Sequence, residues 1–562
     1  MLILGIITLV MTIPLASTYL PTILIHRVAF LILLYSSLLS YNTLYVIPLT
    51  SGVGILGGLF QITLFSQSLE IFILIIGSII LLLVPASRWY QPVGLVPEGE
   101  KNNTKLVSAT GRESPEGVSL YKENIKDPAL WAGSAGADPN NTTTLWNYWD
   151  NLSSNVKKVL STTNNKKEKL KDYPLIILFT TLGMSSLISS SDLITMFLAI
   201  ELQSFALYIL ATMNRNSESA VAAGLKYFLL GGLSSCFILL GSTLIYSYTG
   251  LTNFESLNIL QSVIGQSFEA YSYNYLAIGF IILTIGFLFK IGAAPLHSWA
   301  PDVYDGVPTI VTTWLTIMPK LSILVFFILN NFLLEPNLLM ISALLSLLLG
   351  SITGLVQYKI KRLLAYSTIS HVGLILLTLC YGSSYALESS IFYIVQYTIT
   401  SLNIFLILTL LGNTLPKNYI ISVYSPIQYI SQLSGLFYIN PALSVSFALS
   451  LFSMSGIPPL IGFFGKYFVI NSALMNGNYF LSLVVVITSV ISTVYYLKII
   501  KTLFILNKKN RKISISISEN NNLSPILAFI VAILTLFITF FMIYPTPILN
   551  SIHIITCSHY YF

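Results

Sequence analysis

Three residues within one apolar stretch of the sequence have the chemistry of a proton or ion path. Lys290 lies in TIGFLFKIGAAPLHSWAPDVYDGVP, residues 284–308, and Pro295 and His297 follow it. A charge at the centre of a membrane costs roughly 3 kcal/mol or more, and Pro295 removes a backbone donor and should break the helix. Irregular backbone at that depth needs protein or water to satisfy it. The alternative is a kinked packing helix whose lysine reaches the membrane surface.

Other apolar stretches also contain charged side chains. These are Lys226 in GLKYFLL, Lys320 in IMPKLSI, Lys466 in GFFGKYF, Glu201 in FLAIELQSF and Glu70 in QSLEIFI. Loss of water destabilises the charged form of lysine and glutamate, which brings proton exchange within reach near neutral pH. A row of such groups titrates as a coupled set. We therefore predict a buried proton path, with two alternatives open: Lys226 extends to the membrane surface, and Glu70 faces a partner subunit.

A second helix interruption is expected in SMSGIPPLIGFFGKYFV. Pro458 and Pro459 break this stretch, and Lys466 follows about two turns later. A pair of interrupted helices in corresponding positions indicates inverted repeats. Five spans separate the two breaks, which predicts repeats of five helices. Two further histidines, His26 and His371, are interpreted as packed and hydrogen-bonded, although His371 lies in the polar strip STISH and a functional role stays open.

The elements that must hold these residues are membrane helices. The chain has 562 residues, of which 55% are hydrophobic and 9% charged, a composition that excludes a soluble domain. A membrane helix needs about 20 apolar residues. The sequence therefore predicts an all-α polytopic membrane protein with about fourteen transmembrane helices, discontinuous in spans 7 and 12. The predicted spans lie near 1–20, 22–48, 54–85, 173–190, 192–212, 218–247, 275–301, 308–331, 336–357, 362–381, 385–413, 441–476, 478–505 and 524–548, and the third, seventh, eleventh and twelfth are long enough to be tilted, kinked or broken.

The stretch 86–172 interrupts this apolar pattern. It is polar, holds 12 of the 28 lysines and arginines, and is predicted to be an extramembrane insertion, partly disordered. With Arg215, Lys417 and the basic residues of 359–362 and 498–512, all but five of the 28 lie on odd-numbered connections. This one-sidedness follows the positive-inside rule and predicts that both termini lie on the outer side of the membrane. It also explains the net charge of +7 without nucleic acid.

The predicted organisation has five parts. They are three N-terminal helices in 1–85, the insertion in 86–172, a first five-helix repeat in 173–335, a second in 336–510, and a loop with the last helix in 511–562. Cys236, Cys380 and Cys557 show no ligand spacing, so neither a metal site nor a disulfide framework is predicted. No Gly-rich phosphate loop follows a strand, which argues against a nucleotide site. The apolar N-terminus lacks the features of a cleaved signal.

Six motifs resemble those of a known family. They are AIELQSFALYIL around Glu201, GLKYFLLGGLSS around Lys226, KIGAAPLHSWAPDVYDGVPT from Lys290, PKLSIL at Lys320, KRLLAYSTISHVG at 361–373 and SGIPPLIGFFGKYF around Lys466. This set, spread over most of 173–505, resembles the antiporter-like membrane subunits of respiratory complex I, relatives of Mrp-type cation/proton antiporters. A composition rich in Ile, Leu, Tyr, Phe and Asn without a targeting signal is similar to organelle-encoded products, fungal ones in particular.

The resemblance implies a proton-translocating subunit of NADH:ubiquinone oxidoreductase in the mitochondrial inner membrane. The implied proton-transfer residues are Glu201 paired with Lys226, Lys290 and Lys320 with His297 between them, and Lys466 at the end of the path. The chain itself would bind no NADH, FMN, iron–sulfur cluster, ubiquinone or metal. Its partners would be other membrane-arm subunits, accessory subunits and lipids. The insertion departs from the family pattern, and Glu70 would lie outside the shared mechanism, because some relatives lack the first three helices.

Two other functions stay open on the sequence. A stand-alone or Mrp-type antiporter would use much the same lysine–glutamate row, and co-purification separates it from a subunit of a redox assembly. A structural membrane scaffold, from another class of protein, predicts that neutral replacements of Lys290 or Glu201 leave proton pumping intact.

Overall fold

The computed structural model describes residues 1–15, 22–45, 52–83, 172–214, 217–264, 270–414, 425–505 and 525–560. The predicted insertion, apart from Asp172, lies outside these residues. So do Arg215, Lys417 and the basic residues of 508–512, on which part of the sidedness prediction depends.

The described part of the chain is built from helices with one small hairpin. The first half contains α1 (Leu2–Leu15), α2 (Thr22–Thr43), β1 (Val53–Ile55), β2 (Phe60–Ile62), α3 (Leu64–Leu81), α4 (Asp172–Ser189), α5 (Leu193–Thr212), α6 (Glu218–Thr249), α7 (Phe254–Ile264), α8 (Ala270–Ile291), α9 (Trp299–Gly306) and α10 (Thr309–Leu329). The second half contains α11 (Pro336–Val356), α12 (Ile360–Leu379), α13 (Ser384–Thr414), α14 (Pro441–Ser455), α15 (Ile461–Met475), α16 (Tyr479–Phe504), α17 (Pro525–Phe540) and α18 (Thr546–Tyr560).

Among the described residues, ten helices are long and apolar enough to cross a membrane, and five shorter apolar helices accompany them. Each of the fourteen stretches predicted from the sequence contains one or two of these helices. The all-helical membrane class is therefore confirmed. The count of fourteen crossings and the inverted repeats stay predictions.

The third predicted span is wrong at its beginning. Residues 53–62 form an antiparallel hairpin in which Val53 pairs with Ile62 and Ile55 with Phe60. The stretch SGVGILGGLF is apolar, but its glycines favour a turn over a helix because glycine loses the most conformational freedom in a helix. The helix α3 begins only after Thr63, whose side chain caps the Ser66 amide.

Spans seven and twelve are interrupted, as the prolines predict. The first break lies between α8 and α9 and the second between α14 and α15, and each contains a cis peptide bond before a proline, at Pro295 and Pro459. At each break the preceding helix ends at a glycine in the left-handed region, Gly292 with φ +76° and Gly456 with φ +83°. The eleventh span, by contrast, is one continuous helix, α13.

The centre of the fold is α10, in which every residue from Thr309 to Ile328 is buried. It packs against α3, α12 and α13. A helix that is apolar all round belongs in the interior of a membrane protein. Lys320 is therefore enclosed on all sides by protein, at 2% exposure.

A buried row of lysines, a glutamate and a histidine

Lys290 and Glu201 form a buried ion pair beside the first helix break. The ammonium nitrogen of Lys290, in the last turn of α8, lies 3.4 Å from Glu201 Oε1 on α5, and the two side chains are 8% and 15% exposed. The helix ends just after the lysine because Gly292 takes a conformation that other residues avoid. A buried charge of this kind needs its partner. The pair therefore depends on α5 and α8 keeping their places.

Lys320 lies inside the fold without a carboxylate contact in the described part of the chain. Its ammonium donates a hydrogen bond of 3.0 Å to Thr368 Oγ1 on α12 and lies 5.4 Å from the centre of the Tyr304 ring. A hydroxyl and an aromatic face are weaker partners for a cation than a carboxylate. This environment suits a group that alternates between charged and neutral forms.

His371 lies one turn along α12 from Thr368. We define the buried row as Glu201, Lys290, Lys320, His371 and Lys466. Its Nδ1 lies 2.6 Å from the Tyr393 hydroxyl and its Nε2 lies 3.1 Å from the Tyr496 hydroxyl. The imidazole is 3% exposed and lies within electrostatic reach of Lys466 and Lys320. These contacts link polar groups of three helices and agree with the interpretation of His371 as packed and hydrogen-bonded, while the functional role left open on the sequence stays a prediction. In the sequence, His371 is distinguished by the polar strip STISH within an otherwise apolar helix.

Lys466 ends the row at the second helix break. Lys466 lies on α15, after the break. Its ammonium donates a hydrogen bond of 2.8 Å to the Ser455 carbonyl at the end of α14, before the break. The side chain is buried, and its aliphatic part covers Gly456, where a Cβ would lie 2.8 Å from Lys466 Cδ. A buried lysine therefore lies beside each break, Lys290 in the last turn of the preceding helix and Lys466 on the following helix.

His297 lies in the first break, half-buried, with its ring edge-on to the Tyr366 ring at 6.4 Å. Within the described residues no hydrogen bond or ion pair joins it to Lys290 or Lys320. The predicted place of His297 between the two lysines is therefore not seen as a direct contact.

The predicted pairing of Glu201 with Lys226 is wrong. Lys226 Nζ lies 2.9 Å from Asp302 Oδ2, and the lysine side chain is 55% exposed. Lys226 is on the third turn of α6, so its long side chain reaches the short helix α9 at the surface. The structure supports the alternative in which Lys226 extends to the surface. Glu201 pairs with Lys290 instead.

Three further charged residues join Lys226 and Asp302 in a surface ion cluster. Arg362 Nη2 lies 2.6 Å from Asp302 Oδ1, while Arg362 Nε lies 3.4 Å and Lys359 Nζ 2.7 Å from Asp305 Oδ2. We define the surface ion cluster as Lys226, Asp302, Asp305, Lys359 and Arg362. In the sequence these residues are ordinary charges of connections and motifs, and nothing there predicts a role for either aspartate.

Lys361 was also counted among the connection charges, but the structure buries it to 4% exposure. Its ammonium donates hydrogen bonds of 2.6 Å to the Val307 carbonyl and to Ser425 Oγ. Both partners are uncharged, and they belong to segments far apart in the sequence. Lys361 therefore joins the start of α12 to the α9–α10 connection and to residue 425.

Glu70 and His26 lie on the N-terminal helices, outside the buried row. None of the hydrogen bonds and ion pairs of the described residues joins Glu70 to a member of the row. His26 is 1% exposed and stacks on Tyr173 with ring centres 5.9 Å apart, which agrees with its interpretation as a packed residue. The described residues contain no group of three or more His, Cys, Asp and Glu side chains placed to hold a metal.

The chain is similar to known membrane proteins over its whole length. Residues 190–492 match the family described as NADH:quinone oxidoreductase/Mrp antiporter, TM. The chain is 45% identical to NADH-ubiquinone oxidoreductase chain 2 of Rhizopus oryzae over 587 aligned residues, which cover 100% of both sequences. Its fold is similar to a chain of respiratory complex I from Thermus thermophilus, with TM-score 0.68, 22% identity and coverage of 98% and 99%. A chain of the Mrp complex from Dietzia sp. gives TM-score 0.70, 19% identity and coverage of 100% and 96%.

Proposed function

The chain belongs to the NADH:quinone oxidoreductase/Mrp antiporter family, and we propose that it is the proton-translocating chain 2 subunit of a mitochondrial NADH:ubiquinone oxidoreductase. The observation that carries this proposal is the buried ion pair of Lys290 and Glu201 at a helix break. A buried lysine whose counter-ion lies at 3.4 Å can be loaded or unloaded by small movements of neighbouring charge, because one pKa unit corresponds to only about 1.4 kcal/mol.

In the proposed mechanism the proton passes along the buried row. Glu201 stabilises the charged form of Lys290. Lys320 holds a proton against Thr368 and the Tyr304 ring. His371 accepts or donates through the Tyr393 and Tyr496 hydroxyls, and Lys466 closes the row at the second break. Each transfer changes the charge next to the following member, so the row acts as a coupled set.

The experiment that tests this function compares two replacements of Lys290 in the assembled complex. Lys290→Met keeps the bulk and removes the proton, whereas Lys290→Arg keeps a charge that is not released at working pH. If Lys290 must gain and lose a proton, both replacements lower proton pumping and the coupled oxidation of NADH. Rescue by arginine alone reduces Lys290 to a fixed charge, and normal pumping by assembled Lys290→Met contradicts the proposal. Assembly is measured first, because a change of buried charge also destabilises proteins.

A second candidate is an Mrp-type antiporter subunit, which the similarity to the Mrp complex chain favours. The same buried row would then exchange protons for another cation. A mass-spectrometric inventory of the purified assembly separates the two functions. Redox subunits in constant proportion support the oxidoreductase, and a purified assembly that lacks them supports the antiporter.

The proposed arrangement in the membrane follows from the basic residues. The predicted fourteen crossings place the surface ion cluster and the 86–172 insertion on the matrix side and both termini on the intermembrane-space side. The two breaks are the equivalent positions of two inverted five-helix repeats, 173–335 and 336–510. Protease added to mitoplasts should spare the insertion, and cleavage there from the outer side contradicts this orientation.

The redox groups belong to other subunits in this proposal. NADH, FMN, the iron–sulfur clusters and ubiquinone would react elsewhere, and charge movement would reach the buried row through neighbouring membrane-arm subunits. Lipids and accessory subunits would cover the apolar outer faces. The insertion would at most dock accessory subunits. Deletion of residues 100–165 should leave the pumping rate of assembled complex near normal, and a fully assembled complex that cannot pump refutes that role.

A further inference from the structure

The short helix α9 carries charges on one face and aromatic side chains on another. Asp302 and Asp305 hold the three cations of the surface ion cluster, one of which comes from α6 and two from residues at the start of α12. An isolated salt bridge at an exposed position contributes little to the stability of a fold. Here each aspartate binds two cations, so the cluster is a network that joins three elements of the chain.

The aromatic face of α9 contacts the surroundings of two lysines of the buried row. Trp299 Nε1 donates a hydrogen bond of 2.9 Å to the carbonyl of Phe289, the residue before Lys290. The Tyr304 ring lies 5.4 Å from the ammonium of Lys320. Trp299 also stacks on Tyr227, the neighbour of Lys226, with ring centres 5.0 Å apart. A movement of α9 therefore changes the position of groups that hold Lys290 and Lys320.

We propose that Asp302 is a positioning residue for proton transfer, because it fixes α9 between the cations Lys226 and Arg362. It thereby holds Trp299 at the carbonyl of the residue before Lys290, and Tyr304 beside the Lys320 ammonium. The inference rests on the proposed function. Asp302 does not carry the transferred proton in this role. It sets the geometry in which Lys290 and Lys320 exchange theirs, and it makes that geometry depend on the charged start of α12.

Arg362 is the partner whose chemistry makes this proposal testable. Its guanidinium bridges the two aspartates, with Nη2 at Asp302 and Nε at Asp305. A lysine at the same position keeps the charge but offers a single ammonium, which lacks the fork that spans two carboxylates. If position 362 supplied only a positive charge to the matrix face, lysine and arginine would be equivalent.

The experiment measures protons moved per electron pair and NADH oxidation in assembled complex from each variant. Asp302→Asn preserves shape and removes the charge, and we expect pumping to fall about tenfold, since a misplacement of 1 Å can cost roughly 10²-fold in rate. Asp302→Glu should restore most of the pumping, because it keeps the carboxylate. Arg362→Lys should behave like Arg362→Gln. The matched controls are Glu218→Gln on the first turn of α6 and Lys498→Gln on α16, both exposed, and both should pump normally.

Lys290→Met measured in parallel separates failure of this inference from failure of the proposed function. Loss of pumping in Lys290→Met with normal pumping in Asp302→Asn overturns the positioning role alone. Normal pumping in both overturns the proposed function. Equal pumping by Arg362→Lys and the native complex, or failure of Asp302→Glu to improve on Asp302→Asn, also overturns the positioning role.

Discussion

The ammonium of Lys466 donates its hydrogen bond of 2.8 Å across a helix break, to the carbonyl of Ser455. A carbonyl at the end of a helix has no partner within the helix, so the lysine satisfies it while remaining the terminal member of the buried row. In the proposed mechanism, structure and proton transfer therefore depend on the same contact at this break.

Replacements of Lys466 should separate its structural contact with Ser455 from its proposed role in proton transfer. Lys466→Met removes both the proton and the donor, and Lys466→Arg keeps a donor but no releasable proton. We expect assembled Lys466→Arg and Lys466→Met complexes both to lose at least about tenfold in pumping, in line with the 10²–10⁴-fold that a positioned proton-transfer group typically contributes. Pumping measured in reconstituted vesicles checks this. Recovery of native pumping by arginine would limit Lys466 to its structural contact.

His371 should matter for proton transfer beyond its two hydrogen bonds. His371→Gln retains groups that can bond the Tyr393 and Tyr496 hydroxyls but carries no exchangeable charge. We expect this variant to assemble with near-native stability and to pump several-fold more slowly. Tyr495→Phe is the matched control, since it removes a buried hydroxyl from α16, while the imidazole keeps its bonds to Tyr393 and Tyr496. A His371→Gln complex that pumps at the native rate assigns the histidine to packing.

Lys361 should be structural, in contrast to the lysines of the buried row. Its two partners, the Val307 carbonyl and Ser425 Oγ, are each at 2.6 Å. Loss of one hydrogen bond to a charged group costs about 1.5–3 kcal/mol, so Lys361→Met should lower the thermal stability of the solubilised complex. Lys498→Met, at an exposed position where the ammonium lies 5.1 Å from the centre of the Tyr358 ring, should cost only about 0.5–1 kcal/mol. Equal melting temperatures for the two variants would contradict the anchor role of Lys361.

The charges of the buried row could be predicted from the sequence, whereas their partners could not. Lys290, Lys320 and Lys466 stand out because each lies in an otherwise apolar stretch, and the prolines mark both breaks. The matches to the family confirm the resemblance that the six motifs indicated. The glutamate partner was assigned to Lys226 in error, because a linear sequence does not say which faces of α5, α6 and α8 meet.

The sequence does not predict the contacts of Asp302, Arg362 and Lys361, because their partners are distant along the chain. Asp302 and Arg362 are 60 positions apart, and each alone is an ordinary charge at a membrane surface. Lys361 lies in a basic run between Lys359 and Arg362, so nothing local distinguishes the buried lysine from its exposed neighbours. The sequence predicts a helix instead of the glycine-rich hairpin of 53–62 because the apolar content of this stretch matches that of a span.

Additional side-chain volume at Gly462 should destabilise the packing at the second helix break. This residue lies in the first turn of α15, directly against α14, where an added Cβ would overlap the Ser453 carbonyl oxygen. Gly462→Ala must therefore push the two halves of the broken helix apart, at a cost of about 1–3 kcal/mol. Gly232→Ala on α6 meets nothing within 4 Å and should be neutral or stabilising by up to about 1 kcal/mol. Thermal unfolding of the two complexes compares them, and equal stability would refute the close packing at Gly462.

The ion pair of Lys290 and Glu201 permits a test that separates stability from proton pumping. Removal of one member leaves the other charge buried without its partner, which typically costs 3–5 kcal/mol. Lys290→Met and Glu201→Gln should therefore each destabilise the complex, and the double variant, which buries no unpaired charge, should regain most of the loss. A double-mutant cycle of thermal stability measures this coupling.

Proton pumping should not follow that recovery. The double variant restores an uncharged, well-packed contact but still lacks the proton that Lys290 carries, so its pumping should stay as low as that of Lys290→Met. A purely structural ion pair predicts the opposite: the double variant would regain stability and pumping together. Native pumping by the stable double variant would remove Lys290 and Glu201 from the proton path, because a complex without either charged side chain would still translocate protons.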